Sequence, residues 1–275
     1  MTTQADTFRS LHARPGVLLC GNAWDVGTAR LIQHAGFPAI ETTSAGLSFA
    51  TGRPDAAGLL TRSEMLDNAA AIVAGVSIPV SADLENGFGD DPATVAETIR
   101  MASALGLAGG SIEDATGRPD DPQYGFEAAV DRIRAAVEAA GTGFVLTARC
   151  DGYMHGRGDL ADVIRRLQAF QEAGAEVLAA PGLPHRAAVE TVARALDRPL
   201  ALYVGLGEWQ PDLADLAAVG VKRASVGSGL ARVAMTAFLD AATEIQTTGR
   251  FTAVGKARPF RELNALFRTL NGGGG

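Results

Sequence analysis

Apolar residues along this chain fall into short continuous runs, separated by longer stretches with helical periodicity, and the two kinds alternate throughout. The runs at 17–21, 38–43, 79–82, 108–112, 144–148, 176–180, 200–204 and 223–226 read as strands buried on both faces, as in parallel sheets. Between them, helices are predicted over 26–35, from 61, over 92–105, 125–140 and 160–173, from 184, over 211–218, and over 229–245. Gly36, Gly106 and Gly174 stand where helices stop, Pro92 where one starts, and Thr61 and Glu64 at capping-box spacing. A short helix is expected within residues 1–15. The connection from Ser44 to Leu60, containing Gly52-Arg53-Pro54-Asp55, is expected to be a long loop that packs through Leu47 and Phe49.

Eight strands alternating with helices predict a (β/α)8 TIM barrel, with a doubly wound open sheet as the alternative. The expected organisation is a single barrel domain over 1–275, with the barrel itself at 16–249, a helical extension at 250–271 and a disordered tail at 272–275. In the extension, Phe260, Leu263, Leu266 and Phe267 recur at helical spacing with no strand to serve. That face is expected to pack on a neighbouring subunit.

Composition narrows the picture. At 275 residues, 47% of them hydrophobic, with 33 glycines, no second domain is needed. A net charge of −7 without a basic run argues against nucleic acid and anionic membranes as partners. Cys20 and Cys150 are isolated in apolar runs, which points to a reducing compartment. No stretch resembles a signal peptide or a membrane span, so a cytoplasmic location is expected.

Charge collects where the apolar runs end: Glu41, Asp83 and Glu85, Glu113 and Asp114, Arg149 and Asp151, with Asp55 in the long connection. Barrel enzymes place their chemistry at these strand ends. Asp83 and Glu85, two apart on a strand, point the same way, and at ~4 Å they would repel by about 4 kcal/mol at an effective dielectric near 20. A divalent cation removes that repulsion, and oxygen donors favour Mg²⁺ or Mn²⁺. The competing reading is a solvated polar turn. Asp114 and Asp151 have the alternative of capping loop amides, and Trp24 either walls the pocket or packs in the core. Gly227-Ser228-Gly229 is a phosphate cradle or a tight turn. Of the histidines, His185 is the candidate for catalysis, and Cys150 should face away from Arg149.

Five segments, Thr42-Thr43-Ser44-Ala45-Gly46, Gly52-Arg53-Pro54-Asp55, Asp83-Leu84-Glu85-Asn86-Gly87-Phe88-Gly89, Ile112-Glu113-Asp114 and Ala148-Arg149-Cys150-Asp151, resemble in order the signatures of the phosphoenolpyruvate mutase / isocitrate lyase superfamily. The resemblance implies that Asp83, Glu85 and Glu113 hold Mg²⁺, partly through water, with Asp55 behind them; Glu85 stands where the family usually has aspartate. It implies that Arg149 clamps a substrate carboxylate or phosphonate and that the amides of Thr43, Ser44 and Ala45 bind the substrate's other end. It also implies a tetramer with the last helix exchanged between subunits. Departures matter too. The loop 115–124 lacks the lyases' Lys-Lys-Cys-Gly-His motif and the mutases' Lys-Thr-Asn, and Ile40 stands near the lyases' strand-2 tyrosine. Isocitrate or methylisocitrate cleavage and phosphoryl migration are therefore disfavoured.

The expected function is Mg²⁺-dependent cleavage of a C–C bond in a small 2-oxo or 2-hydroxy acid, a dicarboxylate, beside a metal-stabilised enolate, with Arg149, Glu113 and Asp55 carrying catalysis. The alternatives are C–P cleavage or phosphoryl transfer on a phosphonopyruvate-like substrate, a non-catalytic barrel that binds 2-oxo acids, and an unrelated Mg²⁺-dependent aldolase barrel. A homo-oligomer, dimer or tetramer, is expected.

Overall fold

Eight parallel strands close into a barrel in chain order: β1 (Leu18–Ala23), β2 (Ala39–Thr42), β3 (Val80–Asp83), β4 (Gly109–Glu113), β5 (Val145–Arg149), β6 (Val177–Ala179), β7 (Leu200–Tyr203) and β8 (Val221–Ser225). Leu18 of β1 pairs with Arg223 of β8, which excludes the open-sheet alternative. The computed structural model describes residues 2–55, 58–157, 159–206 and 209–272. Helices α1 (Gln4–His12), α2 (Val26–His34), α3 (Ser44–Ala50), α4 (Arg62–Gly75), α5 (Pro92–Ala104), α6 (Phe126–Ala140), α7 (Leu160–Glu172), α8 (Arg186–Arg194) and α9 (Leu213–Ala218) accompany the strands.

Strand alternation sorts the side chains into two cores. Ile40, Ala82, Ile112, Ala148 and Ala224 face outward and pack among helix residues such as Ile72, Ile99 and Phe170. Cys150 lies in this outer core, away from Arg149 as alternation requires. Cys20, Ala39, Val145, Val177, Ala179 and Ala201 face inward, where Phe8 and Leu11 of α1 close the N-terminal ends of the strands. Gly109 is needed here, because a Cβ would lie 2.5 Å from the Val145 carbonyl oxygen. His12 on α1 reaches into the same end. Its Nδ1 bonds the Phe8 carbonyl at 2.8 Å and its Nε2 lies 3.4 Å from Arg223 Nη1. Those partners require a neutral ring with the proton on Nδ1.

Two expectations need correction. The connection after β2 is not all loop, since α3 occupies Ser44–Ala50. Thr43 caps it by accepting from the Gly46 N–H at 3.3 Å, and Leu47 packs with Leu60 and Met65. Glu85 is not on a strand either, because β3 stops at Asp83 and Glu85 takes φ +47 in the following turn.

The chain divides into two compact units, 1–228 and 229–275. All eight strands belong to the first. The second holds α10 (Gly229–Thr248), α11 (Thr252–Lys256) and α12 (Phe260–Gly272), so the expected single extension helix is two, separated before Pro259. Within this unit Phe238, Phe251 and Phe260 are strongly exposed. Gly272 ends α12, and 273–275, the rest of the expected disordered tail, lie outside the described residues.

Candidate active site

The C-terminal ends of the strands surround a cavity of about 1050 Å³. Asp83, Glu85, Glu113, Asp55, Arg149, Thr43, Ser44 and Ala45 all line it, so eight of the nine expected site residues are brought together. Trp24 is not among the lining residues. It is half-buried at the turn before α2, where its backbone N–H donates to Thr28 Oγ1, and Asn22 holds the inward place on β1.

Arg149 is the centre of the charge arrangement. Its Nη2 lies 2.6 Å from Asp151 Oδ2 and 2.9 Å from Glu113 Oε2, and its Nη1 lies 3.3 Å from Asp83 Oδ1. A second bond, Nε to Asp151 Oδ1 at 3.2 Å, makes the Asp151 contact bidentate. Burial works against the guanidinium's charge, but Asp151 and Glu113 outweigh it and hold Arg149 well above the usual arginine range. Asp151 is thus more than a loop cap: it fixes the plane of the guanidinium. Asp114 fits the capping reading, accepting from the Asp151 N–H at 2.8 Å and from Arg166 at 3.2 Å. Burial first, and then Asp151, push its carboxyl up to about 6.

Asp83 receives Ser44 Oγ at 2.8 Å and the Ser44 N–H at 3.3 Å, and its own N–H donates to Thr42 Oγ1. The Ser44 amide expected to meet substrate is therefore turned to Asp83, and the Thr43 N–H to the Ala23 carbonyl. Glu85 is pushed up to about 7 by burial, then by the charges of Asp83 and Asp55. Burial also drives Glu113 upward, with Arg149 opposing. Arg132 on α6, almost fully buried, holds the turn that presents Glu85. It donates to the carbonyls of Gly89 and Asp90 at 2.6 and 2.5 Å and to that of Asn86. This clamp explains how Glu85 and Phe88, at φ +47 and +63, keep a conformation that disfavours side chains.

The donor chemistry fits a hard divalent cation. Asp83, Glu85 and Glu113 offer oxygen alone, and two of them carry raised carboxyl pKa values that a cation would reverse. Among the described residues, no three His, Cys, Asp or Glu side chains already stand at mutual coordination spacing. Arg149 lies between Asp83 and Glu113 and touches both of these proposed ligands.

Sequence reasoning missed Arg223, Tyr203 and Arg132. Arg223 on β8 is buried inside the barrel, with Nε 2.8 Å from Glu41 Oε1 but out of line for a hydrogen bond, and Nη2 bonded to Thr147 Oγ1 at 3.1 Å. Tyr203 ends β7 under Arg149, whose guanidinium carbon is 5.3 Å from the ring centroid. Strand alternation and the strand-end rule, applied to β7 and β8 as to β2–β5, point to both. Arg132 carried no such signal. His185 caps α8, its Nδ1 accepting from the Ala188 N–H, and does not line the cavity. The loop after β4 is pinned by an Ala115–Gln123 bridge, and Arg118 is paired with Asp90 and Asp121.

A family model for phosphoenolpyruvate phosphomutase matches residues 8–246. The chain is 33% identical over 201 residues to 2-methylisocitrate lyase of Escherichia coli (strain K12), covering 70% of this chain and 67% of that protein. A crystal structure from Burkholderia cenocepacia J2315, provisionally assigned as a lyase/mutase, shares 53% identity with a TM-score of 0.92, covering 96% of this chain and 95% of the other. Phosphonopyruvate hydrolase in complex with oxalate and Mg²⁺ superposes with a TM-score of 0.87 at 26% identity, covering 97% and 95%. The chain is an enzyme of the phosphoenolpyruvate mutase / isocitrate lyase superfamily and belongs with its lyases.

Proposed function

We propose that this chain is a Mg²⁺-dependent lyase that cleaves a C–C bond in a small 2-oxo or 2-hydroxy dicarboxylate. The observation that carries the reading is the convergence of Asp83, Glu85, Glu113 and Arg149 on one cavity at the strand ends. Mg²⁺, held by Asp83, Glu85 and Glu113, would supply Lewis acidity toward the substrate's 2-oxygen and carboxylate. The chain's own residues do the rest. Arg149 presents a guanidinium fixed in plane by Asp151, a rigid fork suited to a carboxylate. Ser44 holds Asp83 in place, and Asp55 adds negative field beside Glu85. Such fixed charges stabilise developing negative charge without reorganising during the reaction.

The test is a panel of 2-oxo and 2-hydroxy acids, including oxaloacetate and 2-oxoglutarate, with and without Mg²⁺, followed by thermal shift and then product analysis. Mg²⁺-dependent release of CO₂ or a smaller 2-oxo acid is expected. Absence of any turnover across the panel would sink the reading. A second reading, C–P cleavage of a phosphonopyruvate-like acid, draws on the likeness to phosphonopyruvate hydrolase. Phosphate release from phosphonopyruvate would favour it.

We further infer a cytoplasmic homo-oligomer, a tetramer. Its support is the exposed Phe238, Phe251 and Phe260 of the second unit, and no helix among the described residues is long and apolar enough to cross a membrane. Truncation after Gly249 should lower the mass seen in light scattering.

A further inference from the structure

Cleaving a C–C bond beside a 2-oxo group leaves an enolate, and one of its carbons must then accept a proton. No residue named so far supplies it. Cys20 and Cys150 are buried and absent from the cavity lining, and burial holds both thiols far above the ordinary thiol range. The phenol of Tyr124 donates to Asp90 at 2.6 Å. Apart from the carboxyl cluster itself, the lining offers a phenol, Tyr203, and an imidazole, His155. His155 is exposed on the loop after β5.

Tyr203 is placed differently. It ends β7 on the inward side, continuous with the inner core through Ala201. Its ring lies beneath the Arg149 guanidinium, which itself touches Asp83 and Glu113. Among the described residues its hydroxyl forms no hydrogen bond, although the ring packs against the inner core. Burial raises the phenol's pKa, so the proton stays on oxygen until it is needed, while Arg149 lowers the cost of a transient phenolate. A half-buried phenol whose hydroxyl has no hydrogen-bond partner among the described residues, beside the residue expected to grip the substrate, is suited to donate to that substrate.

We propose that Tyr203 is the proton donor to the enolate carbon, a role that rests on the C–C cleavage reading above. The broken C–C bond leaves its electron pair in the enolate. That pair forms a new C–H bond with the Tyr203 hydroxyl proton, the O–H bond breaks, and the phenolate recovers a proton from water. The same step run backward removes a proton from C3 of a 2-oxo acid product, so the enzyme exchanges that proton with solvent.

The experiment uses full-length protein with Mg²⁺, pyruvate in D₂O followed by NMR, and oxaloacetate followed by CO₂ release. Tyr203→Phe keeps the ring and removes the hydroxyl. It should slow deuterium exchange at C3 of pyruvate by about 10²-fold or more, the usual scale of a positioned acid or base. CO₂ release should fall less, because bond cleavage precedes protonation, and the Mg²⁺-dependent thermal shift should be unchanged. A merely structural role would lower all three together. Exchange in Tyr203→Phe within about threefold of the parent would overturn the proposal, as would loss of exchange in His155→Gln instead. If the parent exchanges pyruvate protons but releases no CO₂ from oxaloacetate, decarboxylation falls as the cleavage step, and the loss or retention of exchange in Tyr203→Phe decides the proton donor. If the parent neither exchanges nor cleaves, both fall.

Discussion

The two ends of the barrel are made from the same strands yet obey opposite rules. At the N-terminal ends, Phe8 and Leu11 fill the interior against Leu18, Val145 and Val177, and the ionisable ring present, His12, is held neutral by its partners. At the C-terminal ends, Asp83, Glu85, Glu113, Asp151 and Arg149 crowd together with more negative than positive charge. One end is a satisfied core. The other holds buried carboxylates that Arg149 neutralises only in part, which is the condition a cation or an anionic substrate can exploit. Arg223 joins the two, bonded toward His12 and Thr147 on one side and paired with Glu41 on the other.

The contrast can be tested from both ends, and the closed end should show the largest effect. Phe8→Ala removes a fully buried ring and should cost about 3–5 kcal/mol of unfolding free energy while leaving ligand affinity unchanged. Denaturant titration alongside calorimetry would check this, and a matching loss of affinity would show that the two ends are not independent.

Next in size is Arg149→Ala. Affinity for a 2-oxo dicarboxylate such as oxaloacetate should weaken by roughly 2–4 kcal/mol, with Arg149→Lys restoring only part, since a point charge cannot make the forked contact. Mg²⁺ affinity without substrate should hold or rise, because the guanidinium sits beside Asp83 and Glu113. Calorimetric titration of both ligands decides it; intact 2-oxo acid affinity would remove Arg149 from the substrate site.

Mg²⁺ itself should stabilise the parent by about 2.7 kcal/mol at a hundredfold excess over its dissociation constant. Asp83→Ala and Glu85→Ala should each abolish the rise in Tm. An undiminished rise in both variants would place the metal elsewhere.

Between pH 6.5 and 5, the smallest effect concerns His12. Its folded pKa is lowered to about 3, by burial first and then by Arg223, against an ordinary value of 6.5. Below pH 6.5 the unfolded chain therefore binds a proton that the folded chain refuses. Stability should fall as pH falls, by up to about 1.4 kcal/mol per unit, until about pH 3. Relative to His12→Gln, the parent should lose stability between pH 6.5 and 5; parallel curves would mean that the ring is protonated when folded.

Strand order and the charged strand ends were legible in the sequence because both are local. A continuous apolar run ending in Asp83, Glu113 or Arg149 marks a parallel strand and its functional end together. Local pattern also placed Cys150 outward, since one residue's step reverses the face. Tertiary contacts decided the rest. The Thr43 cap and the packing of Leu47 on Leu60 and Met65 turned an expected loop into α3. Glu85 faces the cavity because Arg132, 47 residues further on, clamps its turn, and no strand periodicity encodes that. Whether Arg149 is a free clamp or the centre of a carboxylate cluster depends on bringing β3, β4 and β5 side by side, with Asp151 bonded to its guanidinium. Period and punctuation fix which face a residue takes on its own element, whereas charge pairing is set by what other elements bring within about 4 Å, where Coulomb energies become decisive.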